Sequence, residues 1–300
     1  MHWNLWDPKS STKELAKINK NFLKFLHGYL YLRFTPEYID FLDKTKKRLT
    51  KLKGGLPQSV DEMTSRWYSR SHHSKVLTAP QAKDLVTLEE EVHLHQLEQV
   101  LPFDKAINIV LTNPDQIAVT DCPCRELVAN PCGPLDVCLV VGEPLASFVL
   151  DHKVRNARKI SQDEAANLLE RERERGRIHT AWFKDALGER FYAICNCCRC
   201  CCAGLKAYLD YDVKMVVSSG YTAEINDDCD VCGRCQEACF FGAVRLDQEL
   251  KRPKVTVERD MCMGCGLCLE ACPQGAISLK LDPNKPKPLE VKKTHPKTSS

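Results

Sequence analysis

Two stretches in the last third of the chain repeat one spacing. Cys229, Cys232, Cys235 and Cys239 read C-x2-C-x2-C-x3-C, and Cys262, Cys265, Cys268 and Cys272 read it again. A tight loop with three thiolates at this pitch grips three corners of an iron–sulfur cubane and leaves the fourth to a cysteine from elsewhere. Gly233, Gly264 and Gly266 lie inside the loops, where the backbone must curl closely around inorganic sulfide. Zinc sites also use C-x2-C, but as two well-separated knuckles that supply four ligands in a tetrahedron. A third cysteine just beyond each knuckle has no use in such a site.

These runs resemble the bacterial dicluster ferredoxins, and the resemblance covers residues 221–282. Pro273 follows the second run as it does in that family, whereas Phe240 follows the first. The missing proline loosens the chain direction after Cys239 but removes no ligand. The resemblance implies one [4Fe–4S] cluster on Cys229, Cys232, Cys235 and Cys272, and another on Cys262, Cys265, Cys268 and Cys239. It also implies a pseudo-symmetric βαβ repeat, with Ala243-Val244 and Ala276-Ile277 as matching strand starts. Val255-Thr256-Val257 would be the strand leading into the second loop. Such a module passes single electrons to or from a redox partner protein and does no bond chemistry itself.

The chain has 18 cysteines in 300 residues, with 43% hydrophobic and 28% charged residues, the last two ordinary for a globular protein of about two domains. No basic n-region precedes an apolar stretch at the start, so no signal peptide is expected. No apolar run is long enough for a membrane span. Free thiolates fit the reduced cytoplasm of an oxygen-poor cell. Charge is uneven. Residues 1–57 hold 12 Lys and Arg against 5 Asp and Glu, while residues 221–282 hold 7 against 11. An acidic electron-carrying module can steer a basic partner surface, though ordinary solvated surface explains the numbers as well.

The expected fold class is α+β. A helical N-terminal region (1–57) and a linker (58–75) precede a central cysteine-rich α/β domain (76–220). A ferredoxin-like βαβ-repeat dicluster domain (221–282) and a disordered basic tail (283–300) follow. Ser11 to Phe34 reads as one amphipathic helix with a capping box at Ser11 and Glu14, and Thr35-Pro36 opens a second. The basic and aromatic first helix could lie on a membrane or a partner, but packing against the rest of the fold is the plainer expectation. His72-His73 falls in the polar linker and is expected at the surface. Gln81 to Gln99 and Phe103 to Leu111 read as helices, and Ile117-Ala118-Val119 as a strand. Ser161 to Arg175 is a helix capped by Ser161 with Glu164 and closed by Gly176. The lysine-rich tail lacks the aromatic platform of a nucleic-acid site, so no nucleic-acid partner is expected.

Ten more cysteines set this chain apart from a plain ferredoxin. Cys122, Cys124, Cys132 and Cys138 form C-x-C-x7-C-x5-C, and Cys195, Cys197, Cys198, Cys200, Cys201 and Cys202 crowd eight positions. Adjacent residues of an extended chain point to opposite sides, so the dense segment can offer thiolates to two centres. Arg125 and Arg199 beside these cysteines would favour thiolates, or form plain ion pairs. His179 is a candidate ligand, with a core or surface histidine the commoner outcome. The order Asp121-Cys122-Pro123-Cys124-Arg125, Cys132, Pro134, Cys138, Ile160-Ser161, Glu164-Ala165, Gly176–His179 and Ile194–Cys202, then the two runs, resembles a family of anaerobic bacteria and archaea known for binding 4Fe–4S clusters. It spans about Val100 to Leu281 and implies cluster binding without naming a reaction. At least one further iron–sulfur centre, built from both cysteine groups, is expected.

No G-x-G-x-x-G follows a strand, and neither a Walker A motif nor C-x-x-C-H occurs, so no dinucleotide, nucleotide or attached haem is expected. Carboxylates and histidines share no motif, and no catalytic residue is named. The leading function is an iron–sulfur electron-transfer protein. The alternatives are a redox enzyme subunit with a substrate-accessible iron–sulfur site, or a metal-storage or redox-sensing protein.

Overall fold

A computed structural model describes residues 9–19, 21–51, 58–94, 100–101, 109–247 and 253–291. The N-terminal region supplies α1 (Ser10–Ile18), α2 (Phe22–Arg33), α3 (Thr35–Lys51) and α4 (Gln58–Ser71), which runs directly into β1 (His72–Leu77). Next come α5 (Ala79–Val86), β2 (Val92–Leu94), β3 (Ile109–Asp121), α6 (Pro123–Glu126), β4 (Asp136–Glu143) and α7 (Leu145–Asp151). The central region closes with β5 (Arg158–Ile160), α8 (Gln162–Glu174), β6 (Ile178–Lys184), β7 (Arg190–Cys197), α9 (Ala203–Tyr211) and β8 (Val216–Val217). The C-terminal part contains β9 (Tyr221–Ile225), α10 (Arg234–Ala238), β10 (Val244–Asp247), β11 (Lys254–Val257), α11 (Leu267–Glu270) and β12 (Ile277–Leu281).

An eight-stranded sheet of order β2-β3-β4-β7-β6-β1-β8, with β5 added on β3, organises the centre. Its pairs are antiparallel except β1 with β8. Alternation along the strands sorts side chains onto two faces. Ile117, Val119, Leu139, Val141, Ala181, Phe183 and Ile194 pack beneath α5 and α8 on one face. Ala118, Val140, Trp182, Tyr192 and Cys197 face the other, under Leu15, Tyr31 and Leu32 of the N-terminal helices and Phe148 of α7. Helices on both faces explain why the central strands are buried throughout, β6 at all seven positions.

Several sequence expectations are corrected. The single helix over Ser11–Phe34 is two, because Asn19 takes an extended backbone after α1 and Asn21 caps α2 by accepting from Leu23 N. Ser11 does not cap α1; its Oγ donates to Asp151 Oδ2 at 2.5 Å instead. The linker 58–75 is a helix followed by a sheet strand, and His72 and His73 are buried there rather than exposed. Their polarity concealed a strand whose long polar side chains find partners inside: His72 Nε2 shares hydrogen bonds with Tyr31 Oη and Tyr192 Oη, and Lys75 Nζ donates to Val100 O and Ser218 O.

The helix expected over Gln81–Gln99 starts earlier, at a Thr78 capping box with Gln81, and ends at Val86, with β2 following; residues 95–99 lie outside the described part. Of the helix expected over Phe103–Leu111, the described residues Ile109–Leu111 open β3. Of the tail expected to be disordered from Pro283, residues 283–291 are described, and Leu289 and Val291 join the core beneath α5 and α8, so apolar burial there outweighs the Lys and Pro content; residues 292–300 lie outside the described part. The Ser161 cap holds, with its Oγ accepting from Glu164 N at 3.1 Å. The N-terminal helices cover one sheet face as expected, yet Phe22, Leu23, Leu26 and Leu30 of α2 remain exposed. No helix among the described residues is long and apolar enough to cross a membrane.

Candidate functional site

The C-terminal part is built as two crossed halves. β9, which leads into the first cysteine run, pairs with β12, which leaves the second; β10 and β11 pair in the reverse sense. This exchange brings Cys239 of the first run beside Cys265 and Cys268 of the second, and Gln274, two residues beyond Cys272, within 3.2 Å of Asp230 in the first. Each run turns through a left-handed glycine, Gly233 (φ 79°) or Gly266 (φ 80°), into a short helix bearing its third cysteine. Only glycine takes this conformation without strain. The strands at Val244, Ile277 and Lys254–Val257 stand where the sequence put them.

Thiol environments follow the crossing. Burial raises Cys265 to about 11 and Cys268 to about 12, and Cys239 is among the neighbouring charges at both. Burial also raises Cys235, whose neighbouring charges are Cys229 and Cys232. Backbone N–H groups point at two sulfurs: Ala243 N lies 3.3 Å from Cys239 Sγ and Ala223 N 3.5 Å from Cys262 Sγ. Such donors stabilise thiolates. Among the described residues, no three sulfurs of these eight lie mutually within 4.8 Å. A single tetrahedral ion would need that closeness, whereas a cubane places each thiolate on a separate iron. The donor set therefore fits iron–sulfur clusters.

The halves differ in exposure. Cys262, Cys265 and Cys268 are buried, whereas Cys232 is exposed. Cys265, Met263, Leu267 and Phe241 join the sheet-face core that also holds Cys197 and Cys202, with Cys239 and Cys195 packed against it. Arg173, at the end of α8, forks onto Cys265 O and Gly266 O, both at 2.9 Å, while its Nε reaches Glu270 at 2.9 Å. Ser219 Oγ donates to Gly264 O at 2.8 Å. A Cβ on Gly264 would fall 2.3 Å from Tyr221 O, so this approach requires glycine.

The ten middle cysteines separate into two sets, each drawn from both sequence groups. Cys122 follows β3 as the N-cap of α6, Cys124 lies in α6 and Cys138 in β4; Cys195 and Cys197 leave β7 on one face, and Cys202 caps α9. These six form a closed circuit of sulfur neighbours. Cys122 meets Cys124 and Cys138; Cys124 meets Cys202; Cys195 meets Cys138 and Cys197; Cys197 meets Cys202. Two of the spacings are 3.9 Å (Cys138–Cys195) and 3.3 Å (Cys197–Cys202), far beyond a disulfide bond. Proton sharing splits the circuit: Cys138 is raised well above the usual thiol value by Cys122, and Cys197 is lowered to about 6 by Cys195 and Cys202. Buried thiolates so crowded call for cations, which a metal centre would supply on displacing the protons. The other set is Cys132 with Cys198, Cys200 and Cys201, all mutually within 4.8 Å. Strand alternation accounts for Cys195 and Cys197 facing one way; the turn after β7 sends Cys198, Cys200 and Cys201 the other way, to Cys132.

Arg125 is fully buried beside both sets. It pairs with Glu172 at 3.1 Å and donates to Asn196 O at 3.2 Å and to Pro134 O. Its Nε has no hydrogen-bond partner among the described residues, leaving a buried donor for an anionic neighbour. Arg199 points outward to Asp210 at 2.7 Å. His179 is not among the thiols; its Nδ1 meets Asn196 Oδ1 at 2.7 Å, and Asn196 Nδ2 donates to Val137 O. His179 thus braces β4 against β6 and β7.

The circuit borders a cavity of about 80 Å³, whose lining also includes Tyr31, His72, Trp182, Tyr192 and Arg155. The motif-based reading missed these residues because they come from separated elements. Near it, Lys153, Arg155 and Asn156 are non-glycine residues held at positive φ, of which Arg155 lines the cavity, and the sequence does not display this. That strain turns Arg155 toward Asp121 O and Thr35 Oγ1. Trp182 Nε1 donates to Thr180 Oγ1, which lies 3.3 Å from Cys197 Sγ. Gly204 lets α9 approach, since a Cβ there would meet the Trp182 ring at 2.4 Å.

Residues 228–276 match the 4Fe-4S dicluster domain family. Neither the curated proteins nor the solved structures gave a significant match. The chain is thus a mixed α+β protein with a ferredoxin-type dicluster domain near its C-terminus and a cysteine cluster in its middle.

Proposed function

We propose that this chain relays single electrons between an outside redox protein and a metal centre held by the middle cysteines, in the cytoplasm of an oxygen-poor cell. Cys229, Cys232, Cys235 and Cys272 would hold the outer cluster, and Cys262, Cys265, Cys268 and Cys239 the inner one. The six-thiol circuit would hold at least one further iron–sulfur centre. The observation that carries the reading is the shared core: the inner cysteines Cys265 and Cys239 pack with Cys195, Cys197 and Cys202, whereas Cys232 faces solvent. The polypeptide supplies burial, N–H donors to sulfur and the Arg173 cation; the clusters supply the one-electron chemistry. Spin–spin interaction in the electron paramagnetic resonance of partly reduced, anaerobically purified protein tests it. Interaction between a middle centre and one cubane supports the relay; isolated, non-interacting spectra overturn it.

The cavity beside the circuit favours a second reading, in which a small molecule reaches the middle centre and the chain is an enzyme subunit. A spectral change of the middle centre on adding small anions or thiols would favour it over simple relay.

A further inference from the structure

Among the ten middle cysteines, the sulfurs of Cys132, Cys198, Cys200 and Cys201 form one compact group in which each lies near all the others. Cys132 Sγ lies 3.3 Å from Cys198 Sγ and 3.7 Å from Cys201 Sγ, and Cys200 Sγ lies 3.5 Å from Cys201 Sγ. All four are mutually within 4.8 Å. Four thiolates about 2.3 Å from one tetrahedral ion are separated from each other by about 3.8 Å. A cubane spreads its thiolates farther, because each sits on a different iron. A disulfide would bring two sulfurs to about 2 Å and leave the other two without a role.

We propose that Cys132, Cys198, Cys200 and Cys201 bind a single divalent ion, zinc or iron(II), as a closed tetrathiolate site separate from the iron–sulfur centres. The proposal does not depend on the relay reading. The chain geometry gives the ion a task. Cys132 sits in the loop between α6 and β4, and the other three sit in the turn between β7 and α9. One ion would clamp these two connections together. The same connections carry Cys124 and Cys138 on one side, and Cys197 and Cys202 on the other, so the clamp holds the six-thiol circuit shut. The site is closed on its inner side by the buried Cys198 and Cys201 and reached from outside at Cys200, which is exposed. Four sulfur ligands leave no open position, which marks it as structural.

The test is elemental analysis of the full chain, purified without air, with acid-labile sulfide counted alongside. One equivalent of zinc, or one iron in excess of sulfide, is expected. Cys132→Ser should release that one ion and leave the sulfide count unchanged. X-ray absorption at the zinc or iron edge should show a single shell of four sulfurs and no metal–metal distance at this site; made at the zinc edge on the unaltered protein, this measurement stands even if the variant fails to fold. Loss of sulfide together with metal in Cys132→Ser would overturn the proposal. So would a chain with no ion beyond iron equal to sulfide, or a Cys132 disulfide seen by mass spectrometry in oxygen-free material.

Discussion

Arg173→Met removes a buried cation that forks onto the loop of the inner cysteines. Its guanidinium binds Cys265 O and Gly266 O, and both it and Cys265 are buried. The substitution keeps the apolar stem but strands two carbonyl acceptors at about 1–3 kcal/mol each, less whatever water recovers, so a stability loss of about 2–4 kcal/mol is expected. The electronic effect is the sharper test. Were a cluster bound about 8 Å from that unit charge, at an effective dielectric of about 20, the charge would contribute about 2 kcal/mol. For one electron that is on the order of 85 mV. Reduction adds negative charge, so removing the cation makes it harder and the inner potential should fall by several tens of millivolts. The outer cluster should move much less. Arg173→Lys keeps the charge but not the fork, and should lose stability while largely retaining the potential. A redox titration followed by electron paramagnetic resonance reads both clusters. An unchanged inner potential in a fully loaded Met variant, or an equal shift in both clusters, would refute the placement.

Glu172→Gln weakens the partner of the fully buried Arg125 and should cost about 3 kcal/mol in anaerobic denaturation, because a buried cation is left without its counter-charge. Gly264→Ala places a Cβ 2.3 Å from both Tyr221 O and Ser219 Oγ at a φ of +62°, so the second cysteine loop should fail to seat; a normal complement of both cubanes in that variant would contradict the packing. Burial lowers the Lys75 ammonium to about 7. Between about pH 7 and 10.5 the unfolded chain therefore binds a proton that the folded chain does not, and folding stability rises with pH across that window. Compared with Lys75→Met, the slope should be steeper by up to about 1.4 kcal/mol per pH unit in anaerobic denaturation; identical slopes would mean that Lys75 stays charged when folded.

The dicluster part was legible because its eight cysteines, its loop glycines and its strand starts are all local in sequence. The middle was legible only as an inventory of thiols. Which sulfur joins which depends on register: β3 and β4 align Thr120 with Cys138, and β4 aligns Leu139 with Ile194 of β7. No spacing rule encodes that pairing. The strand β1 was hidden because His72, His73 and Lys75 read as surface, although His72 Nε2, His73 Nδ1 and Lys75 Nζ meet a tyrosine hydroxyl or carbonyl groups inside. Arg173 lay within a charge-alternating run that reads as a solvated helix end, yet it is 8% exposed and joins two parts of the molecule. Tertiary contact decided these residues against their local appearance.

Iron-57 Mössbauer spectroscopy with a full iron count, on protein never exposed to air, bears most directly on the middle centre. About twelve or more irons per chain are expected, with the iron held by the six-thiol circuit lost in Cys197→Ser and the two cubane signals preserved. About eight irons, all in two cubanes and untouched by that substitution, would contradict it.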